Sequence, residues 1–266
     1  MGPDVIAALP DRVAVIATFS VGYEHIDLAA AEARGILVTN TPGVLTEATA
    51  DIALLLLLGA ARRASEGERM MRAGTWTGWT PTQLMGTHLH GKRLGILGMG
   101  RIGQALARRA RALGMEIHYH NRSELDPAEA GEARYHPRAE DLLTQSDALS
   151  LHFPATPQTI KFLNAKRLAL LPKGAIVVNT ARGAVVDDEA LVAALQSGQV
   201  AAAGLDVYDG EPKAHPAYAT LPNTFLLPHL GSATVETREA MGFKALDNLD
   251  AHFGGRIPPN RIQPAA

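Results

Sequence analysis

The residues that could do chemistry sit where short apolar runs end. Leu94-Gly95-Ile96-Leu97 leads directly into Gly98-Met99-Gly100-Arg101-Ile102-Gly103 and then into a helical pattern. A strand, a G-x-G-x-x-G turn and a helix in that order suit the pyrophosphate of a dinucleotide. Gly98 permits the tight turn, Gly100 lets the backbone approach the phosphates, and Gly103 lets helix and strand pack closely. Arg101 and Ile102 open the helix, whose free N–H groups and partial positive charge attract anions.

The following run, 117–120, ends in Asn121-Arg122-Ser123. An acidic residue at this place would hydrogen-bond the ribose 2′-hydroxyl of NAD, and none is present. An aspartate would repel a 2′-phosphate, whereas Arg122 can hold one through charge-assisted bonds. One such bond is worth about 1.5–3 kcal/mol. Asn121, Arg122 and Ser123 are therefore expected to favour NADP(H), with NAD(H) as the weaker cofactor.

Three later segments carry polar residues just past a predicted strand. They are Asn179-Thr180-Ala181-Arg182-Gly183, Gly204-Leu205-Asp206-Val207-Tyr208-Asp209-Gly210-Glu211-Pro212, and Pro228-His229-Leu230-Gly231-Ser232-Ala233. Arg182, Glu211 and His229 are the candidates for chemistry. The bland alternatives are a surface arginine, a turn acid before proline and a structural histidine. His152, also at a strand end, is a rival acid. His118 and His120 fall on one side of a strand, as a metal pair would, but with no third ligand in view they are ordinary strand residues and no metal is expected. Asp187 and Asp188 are expected to cap the next helix.

Positioning these residues requires a regular scaffold. Runs at 13–17, 35–39, 94–97, 116–120, 148–153, 175–179, 200–206 and 225–227 predict strands. Helical patterns lie between them, including 102–113 and 187–196. Strands apolar on both sides and separated by helices imply a doubly wound parallel α/β sheet, whose ligands bind beyond the carboxyl ends of the strands. Thr46 reads as the N-cap of a helix running toward Met70, and its dense apolar residues at 54–58 leave no exposed face. Glycines and a proline break any period from 74 to 91, predicting an arm that carries Trp76 and Trp79. The Pro-rich tail from Pro258 is expected to fray.

Composition narrows the classes. Of 266 residues, 47% are apolar and 20% charged, with a formal net charge of −2, so neither a nucleic-acid nor an anionic membrane partner is expected. There is no cysteine, which excludes disulfides, zinc–thiolate sites and thiol catalysis. No signal-peptide pattern is visible, and the apolar run 52–61 is shorter than the roughly 20 residues that span a bilayer, so a cytoplasmic location is expected.

With these motifs in view, the chain resembles the D-isomer-specific 2-hydroxyacid dehydrogenases, whose signature stretches look like N-T-A-R-G, G-L-D-V-x-x-x-E-P and P-H-x-G-S-A-T. The likeness extends to Ser20-Val21-Gly22-Tyr23-Glu24-His25-Ile26-Asp27 and to Thr39-Asn40-Thr41-Pro42-Gly43. Trp76-Thr77-Gly78-Trp79 and Ile117-His118-Tyr119-His120-Asn121-Arg122 look most like the bacterial glyoxylate/hydroxypyruvate reductase branch. The resemblance implies a hydride transfer between NADP(H) and a small 2-oxo or 2-hydroxy acid: glyoxylate, hydroxypyruvate or 2-ketogluconate. It assigns Arg182 to the substrate carboxylate and 2-oxo oxygen, His229 to general acid–base work, and Glu211 to fixing the imidazole tautomer. It gives Asp206 to the nicotinamide carboxamide, and Val21 and Gly22 to the substrate carboxylate through their N–H groups. Phe153, Pro154, Thr159, Thr180, Ala181 and Gly231 would line the cofactor.

The resemblance also implies two domains: a dinucleotide-binding domain at 81–235, and, at 1–80 and 236–266, the remnant of a smaller flavodoxin-like substrate domain together with the linking helix and arm. Beside typical members that smaller domain is expected to be N-terminally incomplete, which would leave an open sheet edge. A homodimer is expected, with Trp79 the better candidate for reaching a neighbouring subunit. Two other readings remain: a non-catalytic cofactor-binding dimeric module, and a truncated inactive fragment. Retention of Arg182, Glu211 and His229 together argues against a module that needs only its cofactor site.

Overall fold

Runs that are apolar on both sides become neighbouring strands, and here they form two separate parallel sheets. The computed structural model describes residues 1–263. Chain contacts divide it into a smaller unit, residues 1–48 with the chain from 232 onward, and a larger unit, residues 49–231.

In the smaller unit, β1 (Val15–Ala17) pairs in parallel with β2 (Leu37–Thr39). Helices Pro3–Ala7, Leu28–Ala33 and Val235–Phe253 accompany them. Ile6, Ile26, Ala31, Ile36 and Val38 form the core. The tail from Pro258 does not fray as expected. Ile262 donates its N–H to Val38 O at 2.9 Å, and Arg261 bridges Thr39, so the tail satisfies open backbone groups of β2. The last residues of that predicted tail, 264–266, lie outside the described residues.

The larger unit holds β3 (Arg93–Leu97), β4 (Glu116–His120), β5 (Arg134–Tyr135), β6 (Ala148–Leu151), β7 (Ala175–Asn179), β8 (Val200–Leu205) and β9 (Thr224–Leu226). Their order is β5-β4-β3-β6-β7-β8-β9, and every pairing is parallel. The order reverses direction between β3 and β6, so both crossovers leave a crevice at that point. Two apolar clusters cover the two faces, one around Leu94, Ile96 and Val178, the other around Leu149, Val177 and Leu205. The doubly wound sheet is as the alternating pattern predicts. β5, with two residues, is too short to leave a periodic signal.

Two expectations about the helix from Thr46 need correction. The helix from Thr46 does not run on to Met70. It ends as Thr46–Ala61, and a second helix, Ala64–Arg72, starts after Arg63 takes a left-handed φ of 53°. Two bonds from Arg63 to Glu66, at 3.0 and 2.6 Å, hold that break. Nor is the first helix buried all round, since Leu55 is 46% exposed. By contacts the division falls near residue 48, so the linking helix of the expected 1–80 segment groups with the larger unit, because Ala50, Ala53, Leu56, Leu57 and Ala60 pack into the same core as Leu94 and Ile96.

Residues 73–92 contain neither helix nor strand, as the broken period predicts. Trp79 is 78% exposed, and half-exposed Trp76 donates its indole N–H to Gln83 Oε1 at 3.3 Å, so neither tryptophan anchors a core. Asp187 caps helix Asp188–Ser197 by accepting from Ala190 N–H, whereas Asp188 accepts the Tyr218 hydroxyl at 2.7 Å. Among the described residues no helix is long and apolar enough to cross a membrane.

Candidate active site

Because every strand of the large sheet runs the same way, the segments singled out in the larger unit emerge along one edge. The glycine turn leaves β3, Asn121 to Ser123 leave β4, and His152 to Pro154 leave β6. Thr180 to Gly183 follow β7, Asp206 to Glu211 follow β8, and His229 to Gly231 follow β9.

At the glycine turn, Gly98 has φ of +93°, and a Cβ there would lie 2.8–2.9 Å from the backbone of His152 and Phe153. A Cβ on Gly103 would lie 2.6 Å from Gly98 O, while one on Gly100 would meet nothing within 4 Å. The first and third glycines therefore allow close packing, and the second faces open space. Arg101 and Ile102 begin helix Arg101–Ala112, whose N-cap Gly100 has no side chain to fill the end. The turn is further tied by Met99 N–H donating to Asn121 Oδ1 at 2.7 Å. Arg122 and Ser123 are exposed.

Nearer the switch point, Thr159 Oγ1 donates to Pro154 O at 2.7 Å, and Phe153 packs edge-on to Phe162. Thr180 Oγ1 is buried without a hydrogen-bond partner. An open glycine cradle at a helix N-terminus and an orphaned buried hydroxyl on the same edge fit a dinucleotide.

The catalytic candidates converge on the loops of β7, β8 and β9. His229 Nδ1 and Glu211 Oε2 are 2.7 Å apart, and the other carboxylate oxygen accepts Tyr208 N–H at 3.0 Å. Glu211 is thus held on both oxygens, and His229 keeps Nε2 for another partner. His229 has a left-handed φ of 56°. Its N–H donates to Asp206 O, and the next two N–H groups, Leu230 and Gly231, donate to the Asp206 carboxylate at 2.7 and 2.8 Å. Burial pushes the Asp206 carboxyl above its ordinary range, and those two N–H bonds oppose the rise. Asp206 is therefore a clamp on the His229 loop, a role its sequence position did not reveal.

Arg182 belongs to the same cluster. A Cβ on Gly183 would overlap the Tyr208 and Asp209 backbone, so the arginine turn lies directly against the loop that bears Glu211. Asn179 shapes this turn, donating to Arg182 O at 2.9 Å and accepting Ala181 N–H at 3.0 Å. Tyr208 staples the ends of β8 and β9 by donating to Leu205 O or Leu227 O, at 3.1 and 2.9 Å. Burial raises its phenol to about 12, so it stays a donor. Sequence reasoning gave Asn179 and Tyr208 no role, though both lie inside the quoted motifs.

His152 is a poor rival acid. Its Nε2 meets Ser150 Oγ at 2.8 Å, and burial lowers its pKa to about 4, leaving the ring neutral near pH 7. His118 stacks on His136, with Nδ1 2.9 Å from the His136 Nε2, and no metal-binding group is found among the described residues. In the smaller unit, Val21 and Gly22 lie in the turn that follows β1 and are partly buried.

The chain is similar to known proteins over most of its length. The family model for the NAD binding domain of the D-isomer specific 2-hydroxyacid dehydrogenases matches residues 54–231. A glycerate dehydrogenase of Hyphomicrobium methylovorum is 51% identical over 95% of this chain and 79% of its own length. A glyoxylate reductase of Thermococcus litoralis is 48% identical over 94% and 77%. The crystal structure of an NADPH-dependent glyoxylate/hydroxypyruvate reductase from Sinorhizobium meliloti, in complex with NADP and malonate, superposes with a TM-score of 0.88 at 41% identity, covering 95% of this chain and 78% of that one. With the matched segment spanning more than half the sequence and these identities over nearly all of it, the chain belongs to the D-isomer specific 2-hydroxyacid dehydrogenase family.

Proposed function

We propose that the protein reduces a small 2-oxo acid, glyoxylate or hydroxypyruvate first and 2-ketogluconate next, with NADPH preferred over NADH. The observation that carries the reading is the 2.7 Å Glu211–His229 pair, set in the same loop cluster as Arg182 on the edge that bears the glycine turn. A nicotinamide bound along that edge supplies the hydride, and the rest of the work falls to the chain.

Arg182 grips the substrate carboxylate and polarises the 2-oxo oxygen. His229 gives a proton from Nε2 to that oxygen and takes it back in the reverse reaction. Glu211 accepts Nδ1–H, which fixes the tautomer and orients the ring. Asp206 holds the His229 loop and orients the nicotinamide carboxamide. Gly98, Gly100, Arg101, Ile102 and Gly103 take the pyrophosphate. Phe153, Pro154, Thr159, Thr180, Ala181 and Gly231 line the cofactor, and Asn121, Arg122 and Ser123 select the 2′-phosphate. In the smaller unit, which serves as the substrate domain, Val21 and Gly22 offer N–H groups to a carboxylate. The exposed arm with Trp76 and Trp79 supports a homodimer.

The direct test is NADPH oxidation followed by absorbance with glyoxylate, hydroxypyruvate and 2-ketogluconate, repeated with NADH. Turnover with at least one acid and a lower KM for NADPH is expected. No turnover with any of them removes the enzymatic reading, and a lower KM for NADH removes the cofactor preference alone.

A further inference from the structure

We propose that Asn40 is a positioning residue for substrate binding, turning the N–H groups of the Ser20–Val21–Gly22–Tyr23 turn outward to receive a carboxylate. The inference rests on the 2-oxo acid reading and adds the device that prepares its anion site.

In a trans peptide the C=O and the N–H point in opposite directions, so fixing one aims the other. The only cis bond among the described residues is Glu211–Pro212, so all peptides of this turn are trans. The carbonyl of each of its three internal peptides is tied within the smaller unit. Ser20 O accepts Thr41 N–H at 2.9 Å. Val21 O accepts the side-chain amide of Asn40 at 2.8 Å. Gly22 O accepts the Ser20 hydroxyl at 2.6 Å. The N–H groups of Val21, Gly22 and Tyr23 must then leave on the sides away from those ties. Among the described residues they meet no acceptor. Successive backbone N–H groups left unpaired and held in place suit an anion.

Asn40 sits at the centre of this device, because its own root is clamped. Its N–H donates to Asn260 O at 3.2 Å, and its carbonyl accepts from Asn248 Nδ2 at 3.2 Å. Asn248 is fully buried and is itself held, donating to Lys244 O at 2.9 Å and accepting Asn260 N–H at 3.0 Å. The direction of the Asn40 amide matters. Only its NH₂ can satisfy Val21 O, and a carboxylate of the same shape would present an oxygen to that carbonyl and repel it. Asparagine is thus required for hydrogen-bond polarity, beyond any general preference for a turn residue.

The test is Asn40→Asp in the full chain, with Ser20→Ala as a second, milder variant that removes the tie on Gly22 O. For Asn40→Asp the KM for glyoxylate is expected to rise about tenfold or more, with kcat within about threefold of wild type and the NADPH Kd unchanged, the signature of lost carboxylate binding. Ser20→Ala should move KM in the same direction by less. An unchanged KM in both, or a loss of NADPH affinity in step with KM, overturns the proposal. Failure of the parent reading is separable, because titrating oxalate into ¹⁵N-labelled protein reads the turn without turnover. Amide shifts at Val21, Gly22 and Tyr23 that vanish in Asn40→Asp support the positioning role even in an inactive chain. Absence of those shifts in wild type overturns it.

Discussion

The two halves of the large sheet's ligand edge are built by opposite means. Around β3 and β4 the glycine turn depends on side chains that are missing: Gly98 nestles against the His152–Phe153 backbone and Gly103 against Gly98 O. Around β7, β8 and β9 the loops depend on polar side chains that are present, with Asn179, Asp206, Glu211 and Tyr208 each bonded to backbone of its own or a neighbouring loop. The first half leaves open space at Gly100, which the proposed reading gives to a phosphate. The second holds a histidine ring by bonding everything around it. The contrast suits the proposed roles, since a cradle for a charged, extended cofactor needs approach, whereas a proton donor needs a fixed direction.

That contrast can be broken most strongly at His229. Replacing it with Gln leaves the Asp206 clamp intact and removes the proposed proton donor, so kcat should fall by about 10²–10⁴-fold with the NADPH Kd kept. Near-normal turnover in steady-state assays would remove His229 from the chemistry. On the other half, Arg122→Asp should raise the KM for NADPH roughly tenfold to a hundredfold while leaving NADH nearly untouched, since in the proposed reading only the 2′-phosphate partner is lost. Equal effects on both cofactors would assign Arg122 to the surface. Gly98→Ala sharpens the steric side of the comparison. The φ of +93° and the 2.8 Å approach to His152 force the backbone to shift, so a loss of about 1 kcal/mol or more in stability is expected by chemical denaturation, together with weaker NADPH binding. An alanine tolerated in both respects would show that the turn has slack.

The smallest effect concerns acid. Burial lowers the pKa of His118 and His136, with their mutual repulsion and Arg134 adding to it at His118 and Arg134 adding at His136, while Glu116 and Asp141 oppose. Burial alone brings His152 to about 4. Each ring is favoured neutral in the fold, so its contribution is present above the unfolded value near 6.5 and is lost as pH falls through the lower folded value. His118 lies on β4, His136 just after β5 and His152 just after β6, all in the glycine half. The melting temperature should drop between pH 7 and 5, and the drop should shrink in His136→Gln. A drop of the same size in the variant would acquit the histidine pair.

Much of the fold was legible. Alternating apolar runs foretold the parallel sheet, and the spacing of Gly98, Gly100 and Gly103 foretold the turn, because strand burial and steric permission are local properties. The misreadings share one cause. The expected helix from Thr46 to Met70 breaks at Arg63, where the Glu66 carboxylate rewards a left-handed residue that no propensity favours. The tail after Pro258 reads as loose until β2 offers it backbone partners.

The order of amino acids alone singled out the candidates: a guanidinium, a carboxylate and an imidazole at strand ends, and glycines where a side chain would obstruct. Only the tertiary structure decided which groups support them. Asp206 meets N–H groups 24 and 25 residues further along, and Asn40 reaches back 19 residues to Val21 O. Such bonds depend on where distant loops cross, and a crossing is a property of the whole packed chain that no window of sequence contains.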